Sequence, residues 1–91
     1  MVQLSAHIQF IPLHHEEPMA AVDVAIGFIQ SSGLAYEVGP FGTSVEGASH
    51  TVEELVRLLL HSSISKEFLL NVQYHVGDDK LSNKAKVAKF R

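Results

Sequence analysis

The sequence contains no cysteine. Without thiols the chain can form no disulfide, no thiolate nucleophile and no cysteine-ligated zinc or iron–sulfur centre. This composition is typical of a cytoplasmic protein, and we predict a cytoplasmic location and no cofactor.

Positive charge and long apolar runs are also scarce. Seven Lys and Arg residues stand against 10 Asp and Glu residues, which gives a formal net charge of -3. That sign is wrong for a protein whose affinity depends on neutralising phosphates, so we predict no nucleic-acid partner. No apolar run approaches the roughly 20 residues that a membrane-spanning helix needs, and residues 1–10 lack the basic start of a signal peptide. We therefore expect neither membrane insertion nor export.

The size of the chain limits its organisation. Its 91 residues, of which 46% are hydrophobic, fit one domain over residues 1–91, with a core at about 2–77 and a basic C-terminal tail at 78–91. A hydrophobic core of this size is marginal, and small domains commonly gain stability by assembling. We therefore predict a homo-oligomer.

Two segments near the ends of the chain alternate between apolar and polar residues. Residues 2–11 and 68–76 both show this period of two, which is typical of strands with one buried face. Pro12 is expected to end the first strand. Pro18 then suits a first helical turn, and the apolar residues that follow at three- and four-residue steps predict a helix that stops at Gly33.

The middle of the chain completes the pattern. Residues 34–38 and 42–46 read as two short strands joined by a tight turn. Thr51-Val52-Glu53-Glu54 has the form of a capping box, which predicts that a second helix begins at this motif. The order β-α-β-β-α-β predicts an α+β, ferredoxin-like sandwich: an antiparallel sheet in the order 4-1-3-2 with both helices on one face.

Polar side chains on the first and last strands share the face that the helices leave uncovered. These residues are Gln3, Ser5, His7, Gln9, Asn71, Gln73 and His75. The row holds no Lys or Glu, and such uncharged donors and acceptors suit a covered site. A sheet face in contact with water would also be polar. The pattern therefore leaves open a ligand site, a subunit interface and a plain solvated surface.

Histidines are frequent, with six in the chain. His14 and His15 are adjacent on a predicted loop and lack the i, i+4 spacing of helical metal ligands, so a polar loop explains them better than a metal site. No Ser is accompanied locally by a base and a third orienting group. We predict no metal site and no enzymatic activity.

Three blocks of sequence resemble the small thiamine-binding protein family, also called YkoF-like. They are Phe10-Ile11-Pro12-Leu13, Ser32-Gly33-Leu34-Ala35-Tyr36-Glu37 and Gly42-Thr43-Ser44-Val45-Glu46-Gly47. The resemblance covers about His7 to Asp79. It implies a ferredoxin-like domain that assembles into homodimers or homotetramers and binds thiamine or its hydroxymethylpyrimidine moiety without catalysis. The chain departs from the family at His14, where a Gly usually follows the Pro-Leu pair.

The resemblance also implies candidate binding residues. Tyr36 and Glu37 match the family motif on the second strand, and Thr43, Ser44 and Glu46 match it on the third. When these motif residues are combined with polar residues of the uncovered sheet face, the predicted ligand-binding residues are His7, Gln9, Tyr36, Thr43, Ser44, Glu46, Asn71, Gln73 and His75.

The charge of the predicted pocket bears on the ligand. The pocket strands carry no Lys or Arg, so we expect thiamine or the pyrimidine rather than the anionic diphosphate. The alternative function is a protein interaction module that holds no small molecule.

Overall fold

The computed structural model describes residues 3–91, and Val2, which the alternation assigns to the first strand, lies outside this range. The main elements follow one another in the predicted order. They are β1 (Gln3–Leu13), α1 (Pro18–Ser31), β2 (Ala35–Val38), β3 (Thr43–Ala48), α2 (Ser49–Leu60) and β4 (Glu67–His75). A short helix α3 (Asn83–Val87) and a 3₁₀ turn (Ala88–Phe90) follow β4.

The four strands form one antiparallel sheet. Its order is β2-β3-β1-β4, which is the predicted order 4-1-3-2 read from the other edge. β1 pairs with β3 on one side and with β4 on the other. The ferredoxin-like α+β prediction is confirmed.

Both long helices contribute to the core through one face. α1 buries Ala21, Ala25 and Ile29, and α2 buries Val52, Leu55 and Leu59, spacings of three and four residues that follow the helical period. These residues, apart from Ala21, form a cluster with the inward-facing side chains of β1 and β3. Across residues 3–91, no helix is long and apolar enough to cross a membrane.

Two boundaries differ from the sequence prediction. The helix start predicted from the capping-box motif at Thr51 is wrong. α2 begins at Ser49, and its N-cap residue Ala48 makes no side-chain capping hydrogen bond. The reason is that β3 continues to Ala48, which pairs with Gln3, so the helix begins where the strand ends. At the other boundary β1 runs through Pro12. Beyond Ile8 its only paired neighbour is β4, and a strand paired on one side tolerates the missing N–H of proline.

Candidate functional site

The sheet face turned away from α1 and α2 collects polar side chains from all four strands. Residues paired across an antiparallel ladder project to the same face. One row across the sheet consists of Glu37, Ser44, His7 and Gln73. The parallel row is Ala35, Glu46, Ser5 and His75. We call the surface made by these two rows and by the adjacent pair Gln9 and Asn71 the polar face.

Two of the predicted binding residues lie on the opposite face. Thr43 pairs with Ile8 and Val38 and is only 4% exposed, so its hydroxyl belongs to the helix-facing layer. Tyr36 pairs with Val45, and its register directs its side chain to that same layer, although Tyr36 also borders the cleft described next. Since side chains alternate along a strand, Thr43 and Ser44 cannot both face one ligand.

The C-terminal segment, residues 78–91, folds back over the polar face and forms one wall of an open cleft of about 980 Å³. A volume of this order accommodates a small organic molecule. The floor of the cleft includes Ser5, His7, Ser44, Glu46, Gln73 and His75. The roof includes Asn83, Lys84, Lys86, Val87 and Arg91. Five of the predicted binding residues are thus brought together on the floor.

The remaining predicted pair lies beside the cleft. Asn71 Nδ2 donates to Gln9 Oε1 at 3.0 Å, and the two residues line a smaller depression of about 440 Å³ that also touches His7 and Gln73. Because these two side chains bond to each other, one donor and one acceptor that we predicted to bind a ligand are already paired.

The position of the His7 imidazole depends on a glycine. A Cβ atom built on Gly42 would lie 2.5 Å from His7 Cε1 and 2.8 Å from the Ile8 carbonyl oxygen. Only glycine allows this close approach, because real Cβ atoms do not come so near to backbone atoms. Gly42 therefore makes the room in which the imidazole stands at the edge of the polar face.

Glu46 anchors the C-terminal segment to the sheet. Its Oε2 accepts a hydrogen bond from Ser5 Oγ at 2.8 Å and one from Lys80 Nζ at 3.1 Å. The backbone N–H of Asn83 donates to both carboxylate oxygens, at 3.2 and 3.3 Å, and Asn83 Nδ2 donates to the Val45 carbonyl at 3.1 Å. The side chain of Lys80 is only 5% exposed, so this ion pair is largely shielded from water.

Two further contacts hold the outer part of the segment. Lys86 Nζ donates to His75 Nδ1 at 2.5 Å, and Arg91 forms an ion pair with Glu37. Both side chains of the second pair are about half exposed, at 56% and 55%, and exposed ion pairs contribute little to stability. The described strands carry no Lys or Arg on this face, as the sequence indicates, but the segment adds basic groups to the cleft that the sequence reasoning did not anticipate.

The sequence reasoning missed Lys80 and Asn83 because it treated the tail only as a basic segment. One local signal was present. Ser82 is the N-cap of α3, and its Oγ accepts a hydrogen bond from the Ala85 N–H at 3.1 Å, a typical capping arrangement. This signal marks the helix but does not reveal the surface on which it docks.

The loop after β1 begins with a residue in the left-handed conformation. His14 has a φ of 52°, in the left-handed region that favours glycine, which is the residue that the family resemblance leads us to expect there. His15 Nδ1 accepts a hydrogen bond from the Glu17 N–H at 3.0 Å. Within residues 3–91, no three His, Cys, Asp or Glu side chains are grouped so that they could hold a metal ion.

The pKa of Glu46 makes the anchor sensitive to acid. Burial alone would raise this pKa, but the bonds from Ser5, Lys80 and Asn83 outweigh burial and hold the pKa below its ordinary value of 4.5. Lys80 and Asn83 belong to the C-terminal segment, so their share of this lowering of the pKa stabilises docking above pH 4.5 and is lost as the pH falls through the lowered pKa.

We therefore expect acid to release the C-terminal segment before the sheet unfolds. The measurement is a pH titration of amide chemical shifts by NMR, in which the Asn83 amide should move with Glu46 while the amides of β1 keep their native dispersion. Simultaneous loss of both sets of signals would contradict the prediction. Glu46→Gln is the control, since it removes the titrating group.

Taken together, these features define a ferredoxin-like domain with a cleft between its polar face and its C-terminal segment. The chain matches the family model described as "Thiamine-binding protein" over residues 6–91, and it belongs to that family. Among curated proteins, none matches the chain.

Solved structures of similar fold cover nearly the whole chain. A putative thiamine biosynthesis/salvage protein from Thermotoga maritima is 28% identical, with 98% of this chain and 99% of that chain covered and a TM-score of 0.89. A protein from Streptococcus pneumoniae is 25% identical over 94% of this chain and 98% of its own, with a TM-score of 0.81. A domain of unknown function from Bacillus cereus, 24% identical over 99% and 91%, has a TM-score of 0.85 and shows the shared fold.

Proposed function

We propose that this protein binds thiamine or its hydroxymethylpyrimidine moiety in the cleft between the polar face and the C-terminal segment, and that it performs no catalysis. The observation that carries the proposal is the cleft itself, in a chain that belongs to the thiamine-binding protein family. The proposal includes the cytoplasmic location that the composition predicts.

The side chains on the cleft floor suit both halves of thiamine. An aminopyrimidine offers an amino donor and ring-nitrogen acceptors, which Ser44, Gln73 and the His7 imidazole can match. The thiazolium ring carries a positive charge, and the carboxylates of Glu37 and Glu46 lie on the same floor. Neutral groups would thus orient the pyrimidine while a carboxylate stabilises the cation.

Calorimetric titration with thiamine and with hydroxymethylpyrimidine tests the proposal. We expect binding of at least one of them at micromolar concentration. Replacing Gln73 with Leu should weaken binding by about fivefold to tenfold, the usual value of one neutral hydrogen bond. Gln30→Leu is the matched control, because Gln30 lies exposed on α1, away from the cleft. If neither compound binds, the proposed function is wrong.

One observation favours the alternative of an assembly surface, and it concerns the far end of the polar face. Leu69 pairs with Ile11 beyond the smaller depression and is 51% exposed. Ile11, its partner across the ladder, is also partly exposed, and two adjoining apolar side chains at the end of a polar sheet face fit a contact between copies of the chain, in the homodimer or homotetramer that the family resemblance implies. Analytical ultracentrifugation of the native chain and of Leu69→Ser, read together with the calorimetric titration, tests this: dissociation of the variant combined with no ligand binding by the native chain supports the alternative, and a monomeric native chain contradicts it.

A further inference from the structure

The carboxylate best placed to receive a cationic ligand is already occupied by the chain itself. Glu46 accepts hydrogen bonds from Ser5, Lys80 and the Asn83 N–H, and the Lys80 ammonium also donates to Ser5 Oγ at 2.6 Å. A carboxylate has about four lone-pair sites in all. With these contacts in place, little of Glu46 remains for a ligand.

The segment that delivers Lys80 is held mainly by polar contacts. Its large apolar side chains stay in water, with Leu81 62% and Phe90 74% exposed, and no residue of α3 is buried. A segment that buries so little apolar surface is expected to open locally at a free energy well below that of global unfolding. Release of the segment also returns the Lys80 ammonium to water, so the opened state contains no buried unpaired cation.

We propose that the C-terminal segment is an internal competitor for the ligand: Lys80 occupies the cation position at Glu46, and a cationic ligand binds by displacing Lys80 and opening the cleft. The inference rests on the proposed function and selects between its two candidate ligands. The thiazolium of thiamine can replace the ammonium at Glu46. The uncharged hydroxymethylpyrimidine cannot, so Lys80 makes the protein selective for the cationic compound.

The competition has a quantitative consequence. When ligand and segment exclude each other, the apparent affinity is the intrinsic affinity reduced by the fraction of molecules whose segment is released. Removing the charge of Lys80 raises that fraction. Lys80→Met should therefore bind thiamine more tightly, by about tenfold, a typical magnitude for coupling between two sites.

The test compares a variant that removes the positive charge of Lys80 with one that keeps it. Calorimetry is performed with thiamine on the native chain, on Lys80→Met and on Lys80→Arg, which keeps the charge and should change the affinity by less than about twofold. Asn83→Ala is a second variant, because it removes the Nδ2 contact to the Val45 carbonyl and leaves the ion pair intact. It should also bind thiamine more tightly, though by less than Lys80→Met.

The opening is followed independently with a single label. The chain has no cysteine, so Phe90→Cys, on an exposed side chain outside the cleft lining, carries one spin label at the end of the segment. We expect thiamine to increase the mobility of this label and hydroxymethylpyrimidine to leave it unchanged. In Lys80→Met the label should be mobile without any ligand.

The outcomes separate this inference from the proposed function. If thiamine binds, but Lys80→Met and Asn83→Ala both bind it more weakly and the label stays immobile, the segment is a fixed roof; the inference is then wrong and the proposed function stands. If thiamine binds to none of the variants, the proposed function is wrong and the displacement inference falls with it.

Discussion

Replacing Glu46 with Gln should lower the ratio of thiamine affinity to hydroxymethylpyrimidine affinity by about 10-fold to 100-fold. Hydrogen bonds to charged groups are worth about 1.5–3 kcal/mol, which corresponds to this range. The neutral amide that replaces the Glu46 carboxylate cannot balance the positive charge of the thiazolium ring, so thiamine loses its ionic partner. The amide also cannot hold Lys80, so the cleft opens for the neutral pyrimidine. Calorimetric titration of the variant with both compounds measures the ratio.

Glu37→Gln is the matched control for this experiment. Glu37 is the other carboxylate on the cleft floor, but its partner Arg91 is half exposed, and it does not hold the buried part of the C-terminal segment. We expect the control to change the ratio by less than about threefold, the scale of an exposed ion pair. Equal effects of the two substitutions would show that general negative charge, rather than the position of Glu46, determines ligand preference.

Replacing Gly42 with Ala should destabilise the protein by about 1–3 kcal/mol, the usual cost of forcing an extra group into packed structure. The added Cβ would lie 2.8 Å from the Ile8 carbonyl oxygen, and a backbone atom inside the sheet cannot move aside without disturbing the β1 ladder. The same Cβ would displace the His7 imidazole from its place on the polar face. Urea unfolding measures the stability loss.

Gly27→Ala provides the contrasting control. Gly27 lies inside α1, and a Cβ built on it meets no atom within 4 Å. An alanine at a helical position with free space should stabilise the protein by about 0.5–1 kcal/mol, because glycine loses more backbone entropy on folding. If the two substitutions shift the urea midpoint in the same direction, close approach at Gly42 is not the cause of its effect.

The sequence predicted the fold because periodicity is a local property. The alternation over β1 and β4 specifies which side chains face the helices, and a slip of one residue would expose the whole apolar set. The same alternation correctly brought His7, Gln73 and His75 to one face. These results depend only on neighbours in the chain and on the handedness of the crossovers.

The rest of the site depends on contacts between distant residues. Thr43 and Tyr36 belong to motifs of the family, but motif resemblance does not specify the face to which a side chain points, and the register turned both toward the helices. The docking of the C-terminal segment depends on Lys80 meeting Ser5 and Glu46. No periodicity within residues 78–91 encodes that encounter, because the pattern of a short basic helix is compatible with many surfaces.

The bond between Lys80 and Ser5 joins residues that are 75 positions apart. Ser5 meets Glu46 only through the pairing of β1 with β3, and the pairing of Ser5 with His75 in β4 brings Lys80 near, so this bond forms only after the sheet has formed. The segment is therefore expected to be the last part of the chain to fold and the first to be released.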